Sequence, residues 1–516
     1  MHGQVGLFGV TKHLAWPTGS DPWRLPQLGM LIGGWARVTV GWLSMGTATS
    51  ILFYVSMAAA INSLAMVFFL RSLIGSKYRK ITVMLSVFLS ASLFTFAHQL
   101  NLASFFIIPL SIGILCRLNN LDTQNRKRWL WLLVVTAIVS PLWWVVVMVL
   151  IYPFVLLSHA IRRLWTMAQE VLIVWGCVLA GLLTQAIIFI LAASRGPGAD
   201  NSRQPWVSNY FNGNLTDLFI GSTFIKKIAP SFVSKIMPGA SGDLGFGLPI
   251  MITALVAVLA VIASPPIRTS SNLNLGHIRP ITLITLLYWL GGGLGNLQAM
   301  FAVVLGTVSP ARVWYRMILI LGILGSGWIL LGLKHFESTF QRFGKRVTKI
   351  VAVVLGLVLM VGGLGDLRYL NHKGRYWWPT AQQTTTPAVD FIGDHTNVCQ
   401  VAQYPNEANP NVRINVGWDL RLYKGMIPYI LEPNYTWTHG SYDPENVDGL
   451  GIYPQTLTDA DFSNLEEQGY CAVLFDKEMS QTAIDQQIDI EGKKIKVSRK
   501  SDYEDSMYEV YILKAN

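Results

Sequence analysis

The feature that most constrains this chain is a series of long apolar segments separated by short loops. Most segments have about the length of roughly 20 residues that a helix needs to cross the hydrocarbon of a bilayer. Apolar residues make up 52% of the chain and charged residues only 13%, so lipid must serve as solvent for most of it. We therefore predict a polytopic α-helical membrane protein of about ten spans. The spans lie at roughly 49–70, 81–98, 100–116, 129–139, 142–158, 171–193, 247–263, 281–298, 312–332 and 350–366.

Two of the predicted spans are short. The run Trp129–Val139 ends at Ser140-Pro141, where proline removes a backbone donor and favours a break. We interpret this run as a half-span that pairs with the helix after it. Non-helical backbone at this depth must be covered by neighbouring helices or must line a wet cavity.

The basic residues predict how the chain is oriented. Loops that lie on the cytoplasmic side of a membrane carry an excess of Lys and Arg, and five alternate loops of this chain fit that rule under a single threading. The threading places residues 1–48, the loop 194–246 and the tail 367–516 on the extracytoplasmic side of the plasma (inner) membrane. The five basic loops are 71–80, 117–128, 159–169, 264–280 and 334–349.

Charge and composition divide the chain into three regions. Residues 1–48 form an extracytoplasmic loop with an interfacial helix at Leu25–Leu43, and residues 49–366 form the transmembrane domain. Residues 367–516 form a small water-soluble α/β or α+β domain. The net charge is +19 before residue 367 and −8 from there on. Because the basic residues lie in loops between spans, we predict no nucleic-acid binding. Met1 is followed by no signal-peptide pattern, and we expect a further span upstream of it.

The soluble domain is predicted from its local patterns. Strand-length apolar or alternating runs occur at Val398–Gln403, Cys471–Phe475 and Tyr508–Leu513, and Thr458–Gln468 has the pattern of a helix with an acidic N-terminus. Cys399 and Cys471 also lie in this region. They form a disulfide if the domain faces an oxidising exterior, and the alternative is two free buried thiols.

Few side chains before residue 367 are suited to acid–base chemistry. Of its eight acidic residues, four fall on the predicted outer side, and Asp21 is the strongest candidate because it lies in an aromatic turn, Trp16–Trp23. It can act as a general base or hold a divalent ion, or it can simply stabilise the turn. Asp243, in a glycine-rich segment, is a weaker candidate, with a turn or capping role as the alternative. Sequence motifs for hydride transfer, ATP hydrolysis and zinc proteolysis are absent.

Other candidates have binding chemistry. Arg312 and Arg316 are four residues apart at the predicted outer end of a span, so they share a helical face and can grip a lipid phosphate. The alternatives are snorkelling and an internal ion pair. His98 lies at a polar tip between two spans, and Trp437 belongs to an aromatic cluster of the tail. His98 is predicted as a substrate contact or a hydrogen-bonded interface residue, and Trp437 as a platform for a sugar ring or a packing residue.

Four motifs together resemble those of the C-type (GT-C) glycosyltransferase superfamily of bacterial membrane proteins. They are the outer loop Trp16–Asp21, the polar tip at His98, the loop end Gly245–Pro249 and the span entry Ser309–Arg312. The tail segments Tyr435–Tyr442, Leu465–Tyr470 and Val473–Lys477 are similar to the extracytoplasmic tails of such proteins.

The resemblance implies an inverting transfer of a sugar from a polyprenyl-phosphate donor to a cell-envelope glycan or lipid acceptor at the outer face. It also implies an acidic base in the first outer loop, here Asp21, and in some members a divalent cation such as Mg²⁺ or Mn²⁺. Family members usually begin with a span that leads into this loop, and the present sequence lacks it. Two other functions stay open: a transporter or flippase of lipid-linked sugars, and a non-catalytic subunit of an envelope-assembly complex.

Overall fold

The computed structural model describes thirteen stretches of the chain. Predictions for Asp21, the interfacial helix at Leu25–Leu43, His98, the loop 194–246 with Asp243, and Arg312 lie outside the described residues. The structure forms two compact units. Of the described chain, the first takes in residues within 47–190 and 247–371, and the second takes in residues 191–193 and residues within 372–513. The described stretches are 47–76, 78–91, 104–193, 247–264, 273–290, 293–295, 297–298, 316–404, 428, 431–432, 435–438, 456–477 and 496–513.

The first unit is built from helices around one apolar core. Each of the ten predicted apolar segments overlaps a helix of the structure. The helices are α1 (Thr47–Ile74), α2 (Arg79–Ala91), α3 (Ile107–Arg117), α4 (Thr123–Val139), α5 (Leu142–Ile161), α6 (Trp165–Ala193), α7 (Leu248–Ala263), α8 (Leu273–Trp289) and α9 (Met317–His395).

Four of the described helical segments are long and apolar enough to cross a membrane, and the chain is accordingly a membrane protein. Three shorter apolar helical segments accompany them within the described residues, at Ile107–Asn120, Leu248–Ala263 and Val353–Gly362. The predicted count of about ten spans and their threading stay predictions. The four long segments are Ser56–Ile74, Leu142–Ile161, Trp165–Ile187 and Met317–Glu337.

Two predicted loops differ from the structure. Helix α8 begins at Leu273, inside the loop expected at 264–280. A loop was expected at 334–349 between two spans, but these residues lie within α9, which continues for 79 residues. The segment contains no proline and has five Lys or Arg residues, one Glu and one Gln, whose straight side chains favour helix. A change from apolar to polar residues therefore ended the apolar run without ending the helix, and the predicted loop is wrong. The predicted domain boundary at residue 367 falls within this helix.

Helix α5 contains a proline, and a hydrogen bond from another helix replaces the one that this proline cannot make. Pro153 has no N–H, so the carbonyl of Val149 one turn earlier loses its helical donor. The indole Nε1–H of Trp175, on α6, donates to that carbonyl at 3.1 Å. Because an unsatisfied carbonyl is costly in an apolar interior, this bond allows the proline to be kept inside a long apolar helix.

Helix α7 packs against α9 at very short range. A Cβ atom at Gly325 would overlap the backbone carbonyl of Thr253, so only glycine allows the two helices to approach this closely. Nearby in sequence on α9, the indole of Trp328 donates to the hydroxyl of Thr282 on α8, at 3.1 Å. Small residues and interhelical hydrogen bonds thus hold this part of the unit together.

The second unit contains a mixed five-stranded sheet of order β2-β1-β4-β7-β6. Strand β1 is parallel to β2 and β4, whereas β7 is antiparallel to β4 and β6. The strands predicted from sequence became β1, β4 and β7, the three at the centre of the sheet. The strands are β1 (Gln400–Tyr404), β2 (Thr436–Trp437), β3 (Thr456–Leu457), β4 (Tyr470–Asp476), β5 (Lys496–Val497), β6 (Tyr503–Glu504) and β7 (Tyr508–Ile512).

The strands of the sheet contribute to two separate apolar clusters, each of which also contains residues of one helical element. The end of α9, with Ala388 and Ile392, belongs to one cluster, and α10 (Asp459–Glu467), with Phe462, belongs to the other. Helix α10 begins with a capping box in which Thr458 and Asp461 bond to each other's backbone N–H. This confirms the helix predicted at 458–468 and the small α/β domain.

Cys399 and Cys471 form a disulfide in this unit, with their Cα atoms 6.0 Å apart. Cys399 directly precedes β1 and Cys471 lies in β4, so the bond links two adjacent strands of the sheet. The first of the two interpretations of these cysteines is therefore confirmed. Cys116 and Cys177, in the helical unit, are free thiols.

Asp505 fixes the turn between β6 and β7. Its Oδ1 accepts hydrogen bonds from the backbone N–H groups of Met507 and Tyr508, and its Oδ2 accepts one from the Tyr503 hydroxyl. Partial burial raises the pKa of this carboxyl, but the three hydrogen bonds outweigh burial and hold the pKa below its ordinary value.

Candidate functional site

A helix break provides the first polar cluster of the helical unit. Helix α4 ends at Val139 and α5 begins at Leu142, so the break predicted at Ser140-Pro141 is confirmed. The side-chain amide of Gln185, on α6, donates to the carbonyl of Ser140 at 3.0 Å and also to that of Ala137. These carbonyls lie in the last turn before the break, where no helical donor follows. Gln185 is fully buried, and its Oε1 has no hydrogen-bond partner in the described part of the chain.

Arg316 lies next to the same break. It directly precedes α9, and its guanidinium carbon lies 5.5 Å from the ring centroid of Trp143, in the first turn of α5. Such a cation–π contact contributes about 0.5–2 kcal/mol, depending on desolvation. The N–H donors of a guanidinium lie in its plane, so contact through its face is compatible with binding an oxyanion through its edge. We call Ser140, Trp143, Gln185 and Arg316 the Arg316 cluster.

A second polar cluster joins three helices. Glu170 of α6 accepts a hydrogen bond from Nε2 of His277, on α8, at 2.7 Å, and Nδ1 of His277 lies 3.2 Å from Nε2 of His159, on α5. The exposed fractions of the Glu170 and His277 side chains are 5% and 1%. Ionisable groups buried this deeply in apolar helices are costly unless they are paired, and these three pair with one another. We call them the histidine cluster.

The two clusters lie at opposite ends of α5. Trp143 and His159 are 16 positions apart in the sequence, which corresponds to about 24 Å along a helix at a rise of 1.5 Å per residue. This approaches the roughly 30 Å thickness of bilayer hydrocarbon. The separation fits one cluster near each face of a membrane, as the predicted threading requires.

Trp437 occupies the core of the second unit. Its side chain is fully buried, its indole N–H donates to the Glu432 carbonyl at 3.1 Å, and its ring lies 6.2 Å from that of Tyr435. An indole without an exposed face has no surface on which a sugar can stack in this conformation. The structure thus favours packing, the alternative interpretation of this residue.

Of the predicted site residues, the structure describes only Arg316, in the first unit, and Trp437, in the second. Asp21, Asp243, Arg312 and His98 lie outside the described residues, so their roles stay predictions. No group of three or more His, Cys, Asp or Glu among the described residues is arranged to hold a metal ion.

Sequence reasoning missed the histidine cluster. It placed Glu170 at the end of a span and did not single out His159 or His277, because the three residues are far apart in sequence. One signal was available: ionisable residues at the ends of long apolar helices are expensive unless they are paired. Their partners become apparent only once α5, α6 and α8 are packed together.

Comparisons with known proteins give little further information. No family model matches the chain, and no curated protein matches it. A crystal structure of the Archaeoglobus fulgidus oligosaccharyltransferase, tethered with an acceptor peptide containing the NVT sequon via a disulfide bond, is similar at a TM-score of 0.46 and 10% sequence identity. The likeness covers 94% of this chain and 64% of that one, so the chain spans under two thirds of that protein's length.

Proposed function

We propose that this protein transfers a sugar from a polyprenyl-phosphate donor to a cell-envelope acceptor at the outer face of the membrane. The observation that carries the proposal is the placement of the Arg316 guanidinium against Trp143, beside a helix break. A fixed guanidinium at the end of apolar helices suits the phosphate of a lipid whose chain lies in the bilayer.

The second unit supports the predicted side of the membrane. Disulfides form and persist in oxidising compartments and are rare in the cytoplasm, and Cys399 and Cys471 are bonded. The basic loops 117–128 and 159–169, on either side of α4 and α5, predict that the start of α5, where Trp143 lies, is extracytoplasmic. The side of the second unit rests on the disulfide alone, because the helix through 334–349 removes the turn that the threading needed there. Both lines of reasoning favour chemistry at the extracytoplasmic face.

In this transfer the protein must hold the donor phosphate and accept the proton of the acceptor hydroxyl. An acceptor hydroxyl oxygen attacks the anomeric carbon of the sugar and forms the new glycosidic bond with inversion. The bond from this carbon to the phosphate oxygen breaks, and its electron pair leaves with the polyprenyl phosphate. Arg316 holds the charged phosphate of the donor by charge-assisted hydrogen bonds. Asp21, the acid of the first outer loop, accepts the proton from the acceptor hydroxyl.

The test is a transfer assay on the full chain in lipid nanodiscs. A panel of synthetic polyprenyl-phosphate sugars is offered together with cell-envelope extract as acceptor, and released polyprenyl phosphate is quantified by mass spectrometry. Because a hydrogen bond to a charged group contributes about 1.5–3 kcal/mol, Arg316→Gln should raise KM for the donor by roughly 10- to 100-fold. Asp21→Asn should abolish kcat.

The matched control is Lys334→Gln, which removes an exposed positive charge elsewhere on α9 and should leave KM unchanged. If the wild-type chain moves a fluorescent donor lipid across the bilayer but releases no polyprenyl phosphate from any sugar, the protein is a flippase and the proposal is wrong. An equal effect of Arg316→Gln and Lys334→Gln would remove Arg316 from the donor site.

A further inference from the structure

A stacked pair of aromatic rings connects three helices at one end of the helical unit. Phe68, in the penultimate turn of α1, stacks on Trp129 of α4, with the two ring centroids 4.5 Å apart. The guanidinium carbon of Arg117, the last residue of α3, lies 5.2 Å from the centroid of the Phe68 ring. Because the face of an aromatic ring attracts a cation, Phe68 fixes the position of this guanidinium group.

Helices α1 and α3 run parallel to each other, so their C-terminal ends lie together. At the start of α3, the N–H of Phe105 donates to the side-chain oxygen of Asn62, at 2.9 Å. Two turns further along both helices, a Cβ atom at Gly113 would lie 2.8 Å from the Phe68 ring and 3.0 Å from the Cα atom of Phe69. The two helices thus advance in the same direction while they remain in contact.

Two further arginines lie one helical turn from the stacked rings. Arg71 follows Phe68 by three positions, and Arg126 precedes Trp129 by three, so each shares a helical face with one ring of the pair. Both arginines are partly buried, whereas Arg128, on the opposite side of α4, is exposed. The Nε atom of Arg71 is shielded from solvent, so its guanidinium lies against the protein and does not extend into water.

We call Arg71, Arg117 and Arg126 the arginine cluster. Within the described residues, none of the three forms an ion pair with a carboxylate. The carboxylate of Asp122, in the turn between α3 and α4, accepts hydrogen bonds from the backbone N–H and the side-chain amide of Asn125. The charges of Arg71 and Arg117 interact, as their placement requires. An anion bound among these partly buried positive charges would remove the cost of their repulsion.

Compensation of helix dipoles does not account for the whole cluster. Arg71 and Arg117 lie in the last turns of α1 and α3, where a positive charge is favourable. Arg126 lies near the start of α4, where a positive charge is unfavourable. A bound anion gives all three arginines the same role. Each side chain is partly exposed, so a ligand can reach it.

Exposed apolar side chains lie on the other side of the ring pair. Leu64 precedes Phe68 by four positions and is 71% exposed. Leu132 follows Trp129 by three positions and is 45% exposed. Each leucine therefore shares a helical face with one ring, one turn further from the helix end that carries the arginines. An anionic group with an apolar chain attached fits this arrangement better than a free anion, because the chain buries apolar surface.

We propose that the arginine cluster binds the phosphate of an anionic phospholipid, with an acyl chain along Leu64 and Leu132. The basic loops 71–80 and 117–128 predict that this end of the helices is cytoplasmic, where basic residues between helices attract anionic headgroups. Guanidinium groups suit this ligand because they bind phosphate oxygens through two parallel hydrogen bonds. The proposal does not rest on glycosyl transfer, since the Arg316 cluster lies at the other end of α4.

The test measures lipid binding to the full chain, purified and delipidated in a nonionic detergent. Dioctanoyl phosphatidylglycerol, dioctanoyl phosphatidylcholine and inorganic phosphate are titrated separately, and native mass spectrometry gives each Kd. Phosphatidylglycerol should bind saturably and more tightly than phosphatidylcholine, whose cationic headgroup the arginines repel. Arg126→Gln should weaken phosphatidylglycerol binding by roughly tenfold or more, since it removes a charged donor. Arg117→Gln, on another helix, should weaken it to a similar extent.

The matched control is Arg128→Gln, which removes the same charge from the exposed side of α4 and should leave binding unchanged. The thermal unfolding midpoint without added lipid checks that each variant is folded. Equal losses in Arg126→Gln and Arg128→Gln would overturn the proposal, as would equal affinities for phosphatidylglycerol and phosphatidylcholine. Inorganic phosphate binding as tightly as phosphatidylglycerol would assign the site to a free anion and overturn its assignment to a lipid.

Discussion

Removing the disulfide should unfold the second unit far more readily than removing the free thiols. The perturbation is the double substitution Cys399→Ala with Cys471→Ala, which leaves no unpaired thiol behind. The two cysteines are 72 residues apart, so the bond closes a long loop. In the chain-entropy account, loss of such a bond costs about 4.4 kcal/mol at 25 °C.

The assay is hydrogen exchange of the full chain in detergent, followed by mass spectrometry of peptides from β4. Strand β4 lies at the centre of the sheet and all of its residues are buried, so its amides exchange mainly when the unit unfolds. A loss of about 4.4 kcal/mol corresponds to roughly a thousandfold faster exchange. Counting reactive thiols in the denatured wild-type chain should give two before reduction and four after it.

The control is Cys116→Ala with Cys177→Ala in the helical unit, which should leave exchange in β4 unchanged. A change of less than tenfold in the chain without the disulfide would refute the reasoning. Four reactive thiols before reduction would refute the bond itself, and with it the support for an oxidising compartment.

Three further predictions follow from the local structure. Gln185→Met replaces the side chain by one of nearly equal size and removes the donor at the helix break, so it should lower the free energy of unfolding in mixed micelles by about 1–3 kcal/mol. Thr184→Val is the control and should lower it little, because the Thr184 hydroxyl bonds only to its own helix. Arg163→Gly should stabilise the helical unit by about 1 kcal/mol in the same assay, because glycine adopts positive φ without strain. Asp505 has a folded-state pKa below its unfolded value of about 3.9, so its contribution is complete above that value and is lost as the pH falls through the folded pKa. Exchange at Met507, corrected for intrinsic rate, should therefore accelerate in strong acid, and Asp505→Asn should remove that pH dependence.

The soluble unit was largely predictable because its signals are local. Strands β1, β4 and β7 are marked by apolar or alternating runs, and α10 is marked by Thr458 and Asp461 at its start. The disulfide was one of two interpretations, since sequence alone does not show that Cys399 and Cys471 lie in adjacent strands.

The rest depends on contacts between residues that are distant in sequence. The break at Ser140-Pro141 was predictable from proline, but its donor, Gln185, comes from another helix. His159, Glu170 and His277 each look unremarkable in their own segments and gain meaning only by packing together. The loop expected at 334–349 failed for a different reason, since polarity was taken as the end of a helix when only the apolar run had ended.

The central claim is that Arg316 binds the phosphate of a polyprenyl-linked donor. The most direct measurement is a cryo-electron microscopy map of the full chain in nanodiscs with a polyprenyl-phosphate sugar. We predict density for the phosphate within hydrogen-bonding distance of the Arg316 guanidinium, beside Trp143. Donor density with its phosphate elsewhere, and no contact with Arg316, would contradict the account.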